Sequence, residues 1–169
     1  LEKLIDISKD LMIKYLVFPL VDNGSIKSEE QENKLLKKLS KIEKKLTNNI
    51  NILFESDYDP KRLKNFILKF NPDKFGINYD TGNSASLGFD VKQEIDQYYE
   101  FIKNIHIKDR LLNSESVPLG KGLFSFDQFF NLIKERHYKG NLILQTARGK
   151  NNREMETLDY NLKFLRKLI

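Results

Sequence analysis

Short apolar runs alternate along this chain with longer segments in which apolar residues recur at helical spacing. The apolar runs are bounded by Asn, Asp, Gly and Pro, which is typical of buried strands. On this basis five strands are predicted, at Met12–Leu20, Ile50–Glu55, Phe75–Asp80, Lys103–His106 and Asn141–Gln145. The helices predicted around them are Leu1–Asp10, Glu29–Thr47, Lys61–Phe70, Val91–Phe101, Phe126–His137 and about Arg153–Leu168.

Polar residues stand where several of these helices should begin. A side-chain oxygen at the N-cap accepts a hydrogen bond from a backbone N–H that has no partner inside the helix. Asn48 and Asn49 are predicted to end the helix that starts at Glu29. The predicted N-caps are Ser28 in a capping box with Gln31, Asp59 before Pro60, Asp90, and Ser125.

Strict alternation of apolar strands with helices predicts an α/β protein whose parallel sheet is covered by helices. Two architectures fit, a doubly wound open sheet and part of a (β/α)8 barrel. A nucleotide-binding open sheet should carry a Gly-rich turn after its first strand. The turn here is VDNGS, which lacks that pattern.

The ends of the strands favour the barrel. Glu55, Asp80, His106 and Gln145 each end a predicted strand, and all strands of a barrel present their carboxyl ends to one central site. Five of eight units of a typical barrel need roughly 156 residues. We therefore predict one domain over residues 1–169, a partial (β/α)8 TIM barrel with five parallel strands that correspond to barrel strands 4 to 8 and without the first three units.

Composition excludes several classes of protein. The net charge is +5, but many of the lysines lie in Lys34–Lys45 on the polar face of a predicted amphipathic helix, so we predict no nucleic-acid partner. No apolar run is long enough to span a membrane and no signal peptide is evident, so we expect no membrane partner and a cytoplasmic location. The chain has no cysteine, so any metal ligands must be oxygen or nitrogen atoms.

The polar strand ends are candidate metal ligands. Glu55, Asp80 and His106, with a fourth oxygen from Gln145, are suited to Mn²⁺, Mg²⁺, Co²⁺ or Zn²⁺. Such an ion polarises a carbonyl and acidifies the neighbouring C–H, and Glu55 is the available base for proton transfer through an enediolate. Alternatives remain open, because Asp80 could form an Asx-turn or a cap, His106 could be an interior histidine, and Gln145 could lie behind the ligands.

Three motifs, NYDTGNSASLGFD, NIHIKDR followed by SVPLGKG, and YKGNLILQTARG, resemble the xylose-isomerase-like TIM-barrel family of sugar phosphate isomerases and epimerases. The resemblance spans essentially the whole chain, from the fourth strand of that barrel to its last helix. It implies a divalent metal at the barrel mouth, with Glu55, Asp80 and His106 as ligands and a carbohydrate as the substrate.

The chain departs from the family pattern at two positions. Gln145 stands where the family has a Glu that also serves its epimerases as an acid/base group, and an amide cannot shuttle a proton. Asn83 stands where several relatives have a substrate-contacting His. One-base isomerisation, dehydration with Glu55 as base, and non-catalytic sugar binding are all compatible with this pattern.

Charged residues follow the predicted site. Lys108, Asp109 and Arg110 are candidate substrate contacts or rim ion pairs, and Arg148 could bind an anionic group through both guanidinium nitrogens. The loop Pro118–Gly122 could present backbone N–H groups to phosphate or form a lid.

A five-stranded part of a barrel has two unpaired edges, which favour aggregation in water. We therefore expect the chain alone to be poorly stable or to self-associate, as a homo-oligomer in which a second copy covers the open side of the barrel. Activity is expected to belong to a longer product, and the fragment alone to be inactive.

Overall fold

One parallel sheet forms the centre of the protein. A computed structural model describes residues 1–46, 49–149 and 152–169. Within these residues, five strands pair in the order β1-β2-β3-β4-β7, each parallel to its neighbours, and a two-stranded antiparallel hairpin, β5-β6, lies apart. The strands are β1 Tyr15–Leu20, β2 Asn51–Ser56, β3 Phe75–Asp80, β4 Ile102–Ile107, β5 Asp109–Arg110, β6 Ser116–Val117 and β7 Asn141–Leu144.

Helices connect the parallel strands, as the alternating pattern predicts. Two 3-10 turns, Asp22–Gly24 and Tyr99–Phe101, complete the connections. The α-helices are α1 Glu2–Asp10, α2 Glu29–Glu43, α3 Pro60–Ile67, α4 Thr81–Leu87, α5 Val91–Tyr98, α6 Phe126–Glu135 and α7 Glu154–Leu165. The predicted α/β fold with five parallel strands is confirmed.

Three of the four predicted N-caps accept a hydrogen bond from the helix. Ser28 Oγ accepts from the Gln31 amide, and the Asp59 and Asp90 carboxylates accept from Arg62 and Gln93. Ser125 occupies the N-cap position of α6, as predicted, but its side chain makes no cap hydrogen bond.

Some predicted boundaries also differ from the structure. The strand predicted from Met12 begins at Tyr15, because Met12 has a positive φ of 55° where the chain turns after α1. The segment Tyr99–Phe101, predicted as the end of a helix, is a 3-10 turn. Helix α2, predicted to extend to Thr47, ends at Glu43, whereas Thr47 and Asn48 themselves lie outside the described residues.

Helix α4 was predicted only as a turn. Asp80 caps its first turn and Gly88 ends it with a φ of 69°, a conformation that glycine adopts at little cost. The helix is short and rich in Ser, Gly and Asn, so it lacks the apolar periodicity that identifies other helices.

The apolar core lies between the sheet and the helices. Phe54 on β2 is fully buried and its ring lies 4.9–5.8 Å from the rings of Phe66, Phe70 and Phe75. Every residue of the central strand β3 is buried, whereas the outer strand β7 alternates between exposed and partly buried residues and only Leu20 of the outer strand β1 is buried. No helix among the described residues is long and apolar enough to cross a membrane.

Candidate metal centre

Three side chains meet at the carboxyl edge of the sheet. Glu55 lies near the end of β2, Asp80 ends β3, and His106 lies near the end of β4, where Asp80 and His106 are register partners. One ligand atom from each lies within 4.8 Å of the others. His106 Nδ1 lies 3.3 Å from Glu55 Oε2 and 3.8 Å from Asp80 Oδ2.

The two oxygens of Asp80 have different surroundings. Oδ1 accepts a 2.8 Å hydrogen bond from the backbone N–H of Asn83 and so caps α4. Oδ2 is buried and, among the described residues, has no hydrogen-bond partner. A buried carboxylate oxygen without a partner is costly, and a cation would compensate it. The cap is therefore confirmed, and it leaves the second oxygen available for a metal ion.

Glu55 is held from both sides by amides. Its Oε2 accepts from Asn78 Nδ2 at 2.8 Å, and its Oε1 accepts from Asn83 Nδ2 at 3.0 Å. Each amide has its oxygen occupied, since Asn104 Nδ2 donates to Asn78 Oδ1 at 2.6 Å and Arg110 Nη1 donates to Asn83 Oδ1 at 3.2 Å. These bonds fix which end of each amide faces Glu55.

Sequence reasoning missed Asn78 and Asn104. Both are buried in the middle of strands that are otherwise mainly apolar, and this position is the signal that could have identified them.

The two carboxylates favour the protonated form of His106 in the metal-free protein. Burial disfavours the charged ring, but the nearby carboxylates of Asp80 and Glu55 outweigh it and raise the pKa of His106 to about 9. A divalent cation bound between these groups would take the place of that proton as the counter-charge.

Lys108 and Gln145 lie beside the three candidate ligands. Lys108 Nζ donates to Gln145 Oε1 at 3.0 Å and lies 3.8 Å from Asp80 Oδ2. The backbone of Lys108 is held by Thr81, whose hydroxyl donates to the Lys108 carbonyl and accepts from its N–H. Gln145 itself is exposed, unlike Glu55, Asp80 and His106.

Asp109 has a different role from the predicted substrate contact. It is fully buried, and its Oδ2 accepts from the backbone N–H groups of Gly120 and Gly122 at 2.9 and 2.8 Å. Its Oδ1 accepts from the N–H groups of Phe124 and Arg110. The prediction for Asp109 is corrected accordingly. All four N–H groups of the loop Pro118–Gly122 already have acceptors, since Leu119 donates to Asn161 Oδ1 and Lys121 donates to the Pro118 carbonyl.

Arg148 does not join the three candidate ligands. It is exposed and lines a separate cleft of ≈750 Å³ between the β5-β6 loop and the start of α7, together with Lys121 and Arg153. Arg110, by contrast, reaches the site indirectly, through its bond to Asn83.

A buried carboxyl group, Glu94, lies behind the site and was also missed. It accepts hydrogen bonds from the hydroxyl groups of Tyr79, Tyr98 and Ser84, which belong to β3, α5 and α4. Burial raises the pKa of Glu94 above its usual range, and these hydrogen bonds only partly oppose that shift. Glu94 therefore ties together the elements that carry Asp80 and Asn83.

Comparison with known proteins agrees with this architecture. A putative L-ribulose-5-phosphate 3-epimerase, SgbU of Haemophilus influenzae, is 28% identical over 97 residues, which are 53% of this chain and 34% of that protein. A xylose isomerase domain protein of Planctomyces limnophilus superposes with a TM-score of 0.84 at 18% identity, over 99% of this chain and 64% of that one. The IOLI protein, whose crystal structure holds a zinc atom, superposes with a TM-score of 0.79 at 18% identity, over 99% of this chain and 66% of that one.

This chain is thus shorter than the proteins that it resembles and spans about two thirds of the superposed chains. The family model for the xylose isomerase-like TIM barrel matches residues 1–168, nearly the whole chain. Together with the parallel sheet and the polar strand ends, this match shows that the protein belongs to the xylose isomerase-like TIM-barrel family.

Proposed function

We propose that this chain carries the metal-holding part of a carbohydrate isomerase or epimerase that depends on a divalent cation. The observation that carries the proposal is the approach of Glu55, Asp80 and His106, whose ligand atoms lie within 4.8 Å of one another. The buried Asp80 Oδ2, which lacks a hydrogen-bond partner among the described residues, supports it. Oxygen and nitrogen ligands of this kind suit Mn²⁺, Mg²⁺, Co²⁺ or Zn²⁺.

The names of two similar proteins also support the proposal. One is called a putative sugar phosphate epimerase, and the other holds zinc in its crystal structure. Identity to both is low, so the substrate and the metal of this chain are part of the proposal.

Glu55 is the proposed base. A divalent ion at this point would polarise a substrate carbonyl and lower the pKa of the neighbouring C–H. The Glu55 carboxylate removes that proton to give an enediolate, and the proton of the neighbouring hydroxyl group passes to the other oxygen. Glu55 then returns its proton to the adjacent carbon, so that the carbonyl and the hydroxyl group exchange places and no atom is lost. Asn78 and Asn83 hold the carboxylate in one orientation for both transfers.

The proposed substrate is a small keto sugar or a keto derivative of a polyol, whose adjacent oxygens suit an ion of this kind. Lys108 and Arg110 are retained as proposed substrate contacts near the ion, with Asn83 between Arg110 and Glu55. Arg148 is retained as a proposed contact with an outer, anionic part of the substrate.

A second function, sugar binding without isomerisation or with dehydration only, is favoured by one observation. The fourth strand end carries Gln145, which cannot act as the second acid/base group. The experiment below separates the two functions.

The test is incorporation of solvent deuterium into a panel of ketoses and inososes, followed by proton NMR with Mn²⁺ present. Although the sequence predicts that the fragment alone is inactive, all three candidate ligands lie in this chain, so the proposed function predicts exchange of at least one sugar by the wild-type chain. We expect EDTA to stop the exchange and Glu55→Gln to slow it about 100-fold or more, because the base is lost. Glu135→Gln, an exposed change on α6, is the matched control and should have no effect. Tight Mn²⁺ binding without exchange of any sugar would favour the binding function.

Metal binding itself is tested with Asp80→Asn. Asparagine caps helices about as well as aspartate, so α4 should keep its start while the charged ligand is lost. We expect saturating Mn²⁺, at about 100 times its Kd, to stabilise the wild type by about 2.7 kcal/mol in thermal unfolding and to leave the variant nearly unchanged. Equal stabilisation of both proteins would contradict the metal site.

A further inference from the structure

The fourth corner of the candidate metal centre has an unusual composition. In place of a further carboxylate it contains an ammonium group and an amide that are hydrogen-bonded to each other, with Lys108 Nζ 3.0 Å from Gln145 Oε1. The same ammonium lies 3.8 Å from Asp80 Oδ2, the oxygen that has no hydrogen-bond partner among the described residues.

We propose that Lys108 and Gln145 act as one unit, in which Gln145 is not a metal ligand but positions the Lys108 ammonium to contact a negatively charged oxygen of the substrate. The proposal rests on the proposed function, because it concerns the same metal centre. It replaces the predicted four-ligand site by a site with three protein ligands.

The position of Lys108 is set by packing as well as by hydrogen bonds. Its side chain runs over Gly82 of α4, and a Cβ atom on Gly82 would lie only 2.5–2.9 Å from three carbons of that side chain. Thr81 holds the backbone of Lys108 through both its N–H and its carbonyl. The stem is therefore fixed, and the amide of Gln145 fixes the end.

The charges explain why Gln145 is a poor ligand here. Asp80 is a carboxylate, so it can stand between a dication and the ammonium and attract both. The Gln145 oxygen is neutral, and ligating the ion through it would bring the ammonium towards the dication with no negative charge between them. Gln145 is also exposed, whereas the three proposed ligands are buried or partly buried.

This arrangement restricts the class of reaction that the site can catalyse. The developing enediolate carries negative charge on an oxygen, and a fixed cation next to the ion stabilises that charge in the transition state. With an amide in place of a second acid/base group, Glu55 moves the proton alone. The substrate class that fits is an α-hydroxy ketone or aldehyde isomerised on one face.

The first test is binding of Co²⁺, measured by calorimetry and by its visible absorption, which reports the number and geometry of the ligands. We expect Gln145→Ala to leave the spectrum unchanged and the affinity within about twofold of the wild type. Lys108→Met, which removes a nearby positive charge, should raise the affinity about tenfold. Asp80→Asn should lower the Co²⁺ affinity about 100-fold or more. The matched control is Lys163→Met, on the exposed face of α7, which should leave the affinity unchanged.

The second test needs no metal. In the metal-free protein, NMR should show the side-chain amide signals of Gln145 shifting in Lys108→Met and staying in place in Lys163→Met. In the exchange assay, Lys108→Met should lose deuterium incorporation although it still binds Co²⁺, and Lys108→Arg should restore part of it.

The outcomes are distinguishable. The inference would be overturned if Gln145→Ala changed the Co²⁺ spectrum and lowered the affinity 10-fold or more, which is about what loss of a metal-site contact causes. That result would still support the proposed metal centre. Unshifted Gln145 signals in Lys108→Met would also overturn it. Failure of the wild type to bind Co²⁺ would overturn the proposed function, while the NMR result would still decide whether the two residues form a unit.

Discussion

Single carboxylates in this protein use their two oxygens separately. Asp80 caps α4 with one oxygen and leaves the other open at the candidate metal centre. Asp109, three residues after His106, accepts hydrogen bonds at both oxygens from backbone N–H groups of the following loop. Both aspartates follow or end an apolar strand, Asp80 at the end of β3 and Asp109 two residues after β4. The structure shows that Asp80 is a candidate ligand and that Asp109 holds a loop.

Asp109→Asn should destabilise the protein by about 2–4 kcal/mol. The amide has one NH₂ in place of an oxygen, so at least two loop N–H groups lose their acceptor. Urea unfolding measures the change. Asp159→Asn, which affects only an exposed ion pair with Lys163, should change stability by less than about 0.5 kcal/mol. Equal effects of the two substitutions would show that the loop does not depend on Asp109.

At the scale of elements, α4 and its neighbours link the core to the site. Glu94 on α5 accepts from Tyr79 on β3 and Ser84 on α4, while the start of α4 is set by Asp80 and its Asn83 contacts Glu55. A shift of α4 would therefore move Asn83 relative to Glu55.

Stability should fall with rising pH because of Glu94. Its pKa is raised in the folded state, so the folded protein keeps the proton above pH 4.5, where the unfolded chain loses it. The stabilisation by the neutral carboxyl group is complete below that pH and is lost as pH rises towards the raised pKa.

Urea unfolding of the wild type and Glu94→Gln over a pH series measures this effect. The difference in unfolding free energy, wild type minus variant, should decrease as pH rises through this window and level off above the raised pKa. A difference that stays constant with pH would contradict a raised pKa for Glu94.

The sequence predicted the elements with strong periodicity and most of the ligand candidates, because strand ends in a parallel sheet lie at one edge. It did not predict α4, whose Thr-Gly-Asn-Ser sequence resembles a turn, or the hairpin β5-β6, whose strands are only two residues long. The hydrogen bonds of Asn78 join residues that are distant in sequence, and those of Asp109 are made with backbone N–H groups. Neither kind of hydrogen bond produces a recognisable pattern in a single sequence.

At the scale of the whole molecule, the outer strands β1 and β7 each lack a pairing strand on one side within the part of the chain that the structure describes. Val17 on β1 is 38% exposed and Ile143 on β7 is 45% exposed, and apolar residues of α1 and α7 are also exposed. Unpaired strands with exposed apolar side chains bind other strands readily.

We expect the chain alone to self-associate in a concentration-dependent manner in sedimentation velocity experiments. The double variant Val17→Lys with Ile143→Lys should shift the distribution towards monomer, because it places charge on both edge strands. The matched control is Leu68→Lys, at a site that is 58% exposed beyond the end of α3, and it should not change the distribution. Monomeric wild-type protein at high concentration would contradict this expectation.

The divided use of Asp80 has an evolutionary consequence. Exchanging one oxygen of this side chain for nitrogen, a change of a single base in the codon, would remove the charge that an ion needs and still leave an acceptor for the Asn83 amide. A descendant of this protein could therefore lose its chemistry in one heritable step and inherit the architecture intact.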